Sequence, residues 1–288
     1  MPGSPYTDLD RPPLNPRNLQ RALITPDGLW TRLDVRRETA STNADAAEAA
    51  RAGEPEGLIV VAERQSAGRG RLGRTWTSPP RAGIATSVLL RPGAAAPDRG
   101  WRPVSPTGYG WLPLLAGVAL VEAVSRLAEL PAELKWPNDL LVNGAKCAGI
   151  LAEAVPNGDV PAVVLGIGLN VTLRADELPR NPTGLPATSL QLAGAVATDR
   201  DPLLRALLRG IERWYGRWRA AGGDARASGL REAYMEHCGT LGRDVRAILP
   251  SGEELTGLAT AVDPDGRLVI EAGGAGHPIA AADILHLR

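Results

Sequence analysis

Phenylalanine is absent from the 288 residues, and lysine occurs only at Lys135 and Lys146, both inside one stretch, KWPNDLLVNGAK. Every other formal cation is arginine. With abundant Ala, Gly and Pro, this composition indicates a drift of lysine toward arginine of the kind a GC-rich genome produces. An exposed cation tolerates that drift because either side chain solvates well. An ammonium in a confined anionic site does not, since guanidinium is planar, bulkier and forked. The two lysines therefore direct attention to one segment. Two cysteines, Cys147 and Cys238, are too few for a disulfide framework, and their spacing matches no zinc pattern. His237, His277 and His286 all lie in the C-terminal fifth. His237 adjoins Cys238, but no second Cys or His stands at finger spacing, which argues against a structural metal. Net charge is zero, so the whole molecule has no electrostatic footprint for nucleic acid or a membrane surface. The segment MPGSPYTDLDRPPLNPRN lacks the apolar core of a signal peptide. The apolar run from Trp111 to Leu130 is broken by Pro113, Glu122, Ser125, Arg126 and Glu129 and reads as too polar for a membrane span. The expectation is a soluble, cytoplasmic protein.

Residues 1–28 are Pro-rich, polar and aperiodic and read as a loosely ordered leader. A helix is expected from Ser41-Thr42, whose hydroxyls can cap it, through NADAAEAARA to Gly53. GLIVV (57–61) and 83–90 read as strands, and 114–129 carries helical periodicity. Strands are expected at 133–136, 139–142 and 147–155, with Asn143-Gly144 as the turn between the last two, and at 160–166 after Asn157-Gly158. Helices are expected at 202–220 and 225–238. From Gly239 the chain changes to short strands between Gly turns, DVRAIL, ELTGLATAV, RLVIEA and HPIAAADILHL, the texture of a small all-β barrel. The boundary falls near residue 238.

Directly after the 57–61 strand, Arg64, Arg69, Arg71 and Arg74 alternate with Gly68, Gly70 and Gly73. Glycines let backbone approach a ligand closely, and arginines clamp phosphate or carboxylate bidentately. Residues 68–73 spell G-x-G-x-x-G, yet Thr77-Ser78-Pro79-Pro80 replaces the helix that a dinucleotide fold needs, and the next acid is Asp98. No Gly-Lys-Ser/Thr occurs, so there is no Walker motif. The alternative is a solvated basic or RNA-contacting loop. In Lys135-Trp136-Pro137-Asn138-Asp139, Pro137 separates two strand pieces, and Asn138 and Asp139 either face a ligand or Mg²⁺ or form an Asx turn. Lys146 stands just before a strand, and simple alternation turns it away from the face of Cys147 and Leu151. In GIGLN the glycines permit close approach, and Asn170 is either an adenine contact or a turn residue. Cys147 and Trp136 read as packing residues.

Taken together, Ser41-Thr42-Asn43, QSAGRGRLGRTW, KWPNDLLVNGAK and GIGLN, in that order, resemble the bacterial biotin protein ligases that serve acetyl-CoA carboxylase. The matching segments span residues 41–170, and the tail is similar to that family's SH3-like C-terminal domain. The resemblance implies an α+β catalytic domain related to class II aminoacyl-tRNA synthetases, with a mixed sheet, over residues 29–238 and a small β-barrel over 239–288. It implies two steps: biotin and Mg-ATP give biotinyl-5′-AMP, then a lysine of a biotin carboxyl carrier domain of acyl-CoA carboxylase takes the biotinyl group. Carried over position by position, the biotin side falls on Ser41, Thr42, Asn43, Gln65, Gly68, Arg69, Gly70, Arg71 and Lys146, and Gly149 is a further implied binding residue. The nucleotide side falls on Arg71, Arg74, Trp76, Lys135, Asn138, Asp139 and Asn170, with Asp139 as the Mg²⁺ ligand. Lys146, Arg69 and Arg71 are the implied catalytic residues: cations must cover a carboxylate and an α-phosphate brought together. Trp76 offers an apolar face. Some members carry an N-terminal DNA-binding domain; forty residues before Ser41, proline-rich at the start, are too few for a winged helix, so no DNA binding is expected. Two other readings are an RNA-binding protein using the Arg-Gly loop, disfavoured by zero net charge and scarce aromatics, and a lipoyl or octanoyl transferase of the same fold.

Overall fold

The computed structural model describes residues 11–156, 158, 160–179 and 184–287. A seven-stranded sheet is built from β1 (Arg32–Arg36), β2 (Leu58–Ala62), β3 (Gly83–Leu90), β4 (Ala132–Lys135), β5 (Asp139–Val142), β6 (Ala145–Val155) and β7 (Ala162–Asn170), in the order β1-β2-β3-β7-β6-β5-β4. Only β1 and β2 run parallel, so the sheet is mixed. One face is covered by α3 (Trp111–Leu127), with α4 (Arg200–Ala220) packed behind it. The helices cross closely because Gly210 has no side chain: a Cβ there would lie 2.9 Å from Ala119 Cβ. The opposite face carries α2 (Thr42–Arg51), whose Ala46, Ala47 and Ala50 press on Val60, Leu89 and Val164. Small alanines bring this helix down close, and the part of the same face that it leaves uncovered becomes the floor of a cavity.

Several local expectations are revised. Residues 16–23 are no loose leader: α1 (Pro16–Leu23) starts with Pro16 in its first turn and Asn15 Oδ1 accepting from Asn18 N at 3.1 Å. Leu19 and Leu23, one helical turn apart, are buried against α4, each contributing about 1.5–3 kcal/mol by leaving water. The Ser41 side chain makes no capping bond at the start of α2. Helix α3 begins earlier than its periodicity suggests because Pro113 fits the first turn. The stretch Pro106–Leu127 is in fact long and apolar enough to cross a bilayer, but 67% of its most apolar window is buried, so that apolarity serves the core. Residues 225–229 are turns, and α5 (Leu230–His237) starts only after Gly229, at φ 75°. The strand expected at 160–166 instead runs from Ala162 to Asn170, with GIGLN as its closing half.

The tail forms a five-stranded antiparallel sheet, β8 (Asp244–Ile248), β9 (Glu254–Val262), β10 (Leu268–Ala272), β11 (Ala275–Ile279) and β12 (Asp283–His286), ordered β11-β10-β9-β8-β12. It is fastened to the seven-stranded sheet at the KWPND segment. Trp136 Nε1 donates to Gly266 O at 3.2 Å, and Trp136 N donates to Thr240 Oγ1 at 3.1 Å.

Candidate active site

A cavity of about 910 Å³ opens on the uncovered floor of the seven-stranded sheet. That is toward the upper end of the roughly 300–1,000 Å³ range of small-molecule sites. Its floor is flat because Gly149 and Gly168 pair across β6 and β7. The Trp76 indole rests on them: a Cβ at Gly168 would come 2.4 Å from Trp76 Cε2, and one at Gly149 would come 3.2 Å from Cζ3. One end is polar, lined by Ser41, Thr42, Asn43 and Gln65; the other holds Lys135, Asn138, Asp139 and Asn170. Five cations line it, Arg69, Arg71, Arg74, Lys135 and Lys146, against two acids among the described residues, Asp139 and Asp283. Such an excess attracts a polyanion. Of the residues implied by the sequence, Gly68 alone is missing from the lining. A Cβ there would sit 2.3 Å from Trp76 O, and Gly68 O accepts from Trp76 N at 2.9 Å, so its place is the neck of the Arg-Gly loop.

Lys146 turns away from Cys147, as alternation has it, but shares the cavity face with Gly149 and Leu151, which strict alternation forbids. The β5–β6 ladder slips one residue: Leu140 pairs with Ala148 but Leu141 with Lys146, which leaves Cys147 as an unpaired bulge residue. A bulge shifts side-chain parity, so Lys146 joins Gly149 and Asp139 on the floor while Cys147 turns into the core. Lys146 Nζ lies 2.6 Å from Asp139 Oδ1, a close ion pair without hydrogen-bond alignment. Asp139 also pairs in register with Lys135, whose ammonium is buried. Burial pulls the Lys135 pKa below its ordinary value, partly countered by Asp139. Burial pushes the Cys147 thiol up to about 12, which makes it an inert packing group.

The backbone of Lys146 is held by a segment that no motif announces. Lys146 N donates to Pro186 O at 2.8 Å, and Thr188 N donates to Lys146 O at 2.9 Å. Asn170 Nδ2 donates to Thr188 O at 2.9 Å, so this end of its amide anchors the same segment. Pro179, Gly184, Leu185 and Ala187 thereby become part of the wall. The C-terminal sheet supplies Ile248, Ala282, Asp283, Ile284 and Leu285. Arg71 Nη1 donates to Asn138 Oδ1 at 3.2 Å and to Ala282 O at 3.4 Å, and Arg74 pairs with Asp283. Long-range packing made these contacts, and no local spacing predicted them.

The residues do not build a resident metal site. Among the described residues no group of three or more His, Cys, Asp or Glu is placed to hold an ion. Both polar ends of the Asn138 amide are engaged, by Arg71 and by Ile150 O at 3.0 Å. Asp139, one carboxylate between two ammonium groups, fits only as a single contact to an ion carried in on phosphates.

A mixed sheet whose glycine floor lies under an arginine loop, with a β-domain closing one end, defines a class. Residues 36–170 and 110–232 match two models of the biotin/lipoate A/B protein ligase family, and residues 240–287 match the biotin protein ligase C-terminal domain. The chain is 41% identical to a biotin–[acetyl-CoA-carboxylase] ligase of Mycobacterium tuberculosis, over 98% of this chain and 100% of that protein. It is 34% identical to the bifunctional ligase/repressor BirA of Bacillus subtilis, over 85% of this chain and 70% of that protein. The structure of a biotin protein ligase from Aquifex aeolicus in complex with biotin and ATP superposes with a TM-score of 0.70 at 26% identity, covering 90% of this chain and all of that one. The chain belongs to the biotin/lipoate A/B protein ligase family. Within that family it is a biotin protein ligase.

Proposed function

We propose that this protein joins biotin to ATP, forming biotinyl-5′-AMP with loss of pyrophosphate, and then passes the biotinyl group to a lysine of a carboxyl carrier protein. The carrier domain of an acyl-CoA carboxylase is the acceptor we infer. The observation that carries this reading is the preset Lys146–Asp139 pair at the centre of a cation-lined cavity.

In the first step a biotin carboxylate oxygen bonds to the α-phosphorus and the bond to the β-phosphate oxygen breaks. Two anions approach, so the Lys146 ammonium belongs between them, and Asp139 keeps it pointed there. Arg69 and Arg71, on the glycine loop, cover the adenylate and exclude water. Ser41, Thr42, Asn43 and Gln65 take the polar ring end, with Gly149 and Gly70 allowing close approach and Trp76 forming an apolar wall. Arg74, Lys135, Asn138 and Asn170 take the nucleotide. Asp139 would make a single contact to Mg²⁺ carried on ATP, which would offset phosphate charge. In the second step the acceptor amine attacks the acyl carbon, the anhydride C–O bond breaks and AMP leaves with the electron pair.

Dependence on ATP supports a cytoplasmic setting. We infer a ligase that does not read DNA, since residues 16–36 form α1 and β1 of the unit that carries the cavity. The cations converge on one concave site, which speaks for a small polyanion over RNA. Biotin-dependent exchange of label between pyrophosphate and ATP tests the reading, with lipoate and octanoate in parallel. Exchange with lipoate or octanoate and none with biotin would overturn it.

A further inference from the structure

The segment before α1 grips one wall of the cavity from outside. Arg11 forks onto Glu177: Nη1 donates to Oε1 at 3.2 Å and Nη2 donates to Oε2, while Nη2 also donates to Thr172 O at 2.9 Å. The two side chains are only 13% and 14% exposed. Glu177 also accepts from Arg174, from its backbone N at 2.9 Å and its Nη2 at 3.0 Å. Arg174 lies three residues back in the same turn, so it shapes that turn without tying it to the rest of the molecule. Arg11 makes the outside tie, and its own base is firm. Arg200 Nη2 donates to Pro12 O at 2.7 Å, Leu14 N donates to Glu63 Oε1 at 2.6 Å, and the Leu14 side chain is in the core. Arg200, itself buried, pairs with that same Glu63, Nη1 to Oε2 at 2.6 Å. Burial alone would raise the Glu177 carboxyl, yet its pKa lies below the ordinary value because Arg11 and Arg174 bond the anion.

The wall that Glu177 belongs to leaves the sheet just after Asn170 and returns at Thr188, whose O accepts from Asn170 Nδ2, so it serves the Asn170 end of the cavity. Its returning part, 184–188, is fixed by the backbone of Lys146. Its leaving part is fixed as far as Leu173: Ala82 O accepts from Val171 N and Thr172 N, and Ser189 Oγ donates to Leu173 O at 2.7 Å. Beyond that, among the described residues, the hydrogen bonds that leave 174–179 all run from Glu177 to Arg11. Pro179, two residues after Glu177, lines the cavity; Arg11 does not. We propose that Arg11 is a positioning residue for the nucleotide: through Glu177 it holds the Pro179 part of the wall in place at the Asn170 end. The inference rests on the ligase reading, which puts ATP there. Loss of Arg11 leaves every group that touches the ligand intact but unties the wall beside it.

Pyrophosphate exchange at varied ATP and varied biotin tests this. Arg11→Ala should raise KM for ATP roughly tenfold, the worth of one hydrogen bond to a charged group, and leave KM for biotin unchanged. Arg11→Lys keeps the charge without the fork and should show a smaller rise. Because Arg11 acts through Glu177, adding Arg11→Ala to a Glu177→Ala variant should raise KM for ATP no further. A merely structural role would lower the urea midpoint and the amount of active enzyme without moving KM for ATP against KM for biotin. An unmoved KM for ATP in Arg11→Ala therefore overturns the inference, as does a further rise in the double variant. Should Arg11→Ala fail to fold, Arg11→Lys decides by the same two constants, and no rise in KM for ATP counts against the proposal. Absence of biotin-dependent exchange in the wild type would instead overturn the functional reading itself.

Discussion

Lys146 and Asp139 meet across β5 and β6 only because the ladder between those strands slips at Cys147. Without the slip the Lys146 side chain would enter the core face. With it, Nζ stands 2.6 Å from Asp139 Oδ1 on the cavity floor. The bulge thus turns an edge lysine into a fixed point charge, and a second strand-like segment at 185–188 holds its backbone in place.

Replacing Lys146 with Ala should slow adenylate formation by about 10²–10³-fold, as expected for a preorganised electrostatic contact. Lys146→Arg should rescue poorly, because a planar fork does not fit the position of a point charge beside Asp139. Single-turnover formation of biotinyl-5′-AMP measures both. Wild-type rates in the Arg variant would remove Lys146 from the reaction centre and also undo the argument from lysine scarcity.

Gly166 and Gly168 make opposite kinds of contact with their neighbours. A methyl at Gly166 meets the buried Asn43 amide, and Gly166→Ala should cost about 1–3 kcal/mol of stability as overpacking. A methyl at Gly168 meets the Trp76 ring, which sits on a loop able to yield. Gly168→Ala should therefore fold nearly normally yet bind biotin more weakly, with urea midpoints and biotin titrations reporting the difference. Equal destabilisation in both variants would contradict this assignment of the two glycines.

Arg71 ties the Arg-Gly loop to Asn138 and to Ala282 O, and its guanidinium pKa is lowered chiefly by burial. Arg71→Gly should still make adenylate but hold it less well. Loss of one charge-assisted bond, about 1.5–3 kcal/mol, corresponds to escape roughly 10–100-fold faster. Escaped adenylate acylates bystander lysines, which mass spectrometry counts. Labelling at the wild-type level, with adenylate still produced, would assign retention to another residue.

The pair between Arg74 and Asp283 joins the same loop to β12 of the C-terminal sheet. Asp283→Asn should speed amide exchange across residues 69–74 in the ligand-free protein and leave the interior of β7 unaffected. Bound biotin and ATP should restore slow exchange, since anions then bridge the arginines. Unchanged exchange in the variant would show that the loop is held by its own backbone bonds.

His286 Nε2 lies 3.1 Å from Thr240 Oγ1, which already accepts from Trp136 N. His286 is neutral, with its pKa pushed down to about 4 by burial and by Lys135 and Arg243. The unfolded chain takes up a proton near 6.5 that the folded chain refuses until about 4. Stability should be full above the unfolded value, fall as pH drops through this window, and lose no more below it. Allowing for the half-exposed ring, the loss is about 1–2 kcal/mol. His286→Gln keeps a hydrogen-bonding group for Thr240 and should flatten this part of the pH profile of urea unfolding; an unchanged slope would show that other groups carry it.

The sequence by itself carried the chemistry of the site. Lysine scarcity marked KWPNDLLVNGAK, the Arg-Gly alternation marked a loop that lines the cavity, and the Asn143-Gly144 turn, with φ of 51° and 74°, sits where the dipeptide put it. These are local signals, and local signals survive in sequence. Tertiary structure decided the rest. The face on which Lys146 lies depends on a register slip between two strands, which residue alternation along one strand cannot contain. Residues 16–23 form a helix because Leu19 and Leu23 find α4 far along the chain, and polar composition hid that partner. Glu177, Thr188 and Asp283 entered the account only when folding brought them within bonding distance of Arg11, Asn170 and Arg74, 18 to 209 positions away. A lone carboxylate or carbonyl has no signature along the chain; its partner gives it one.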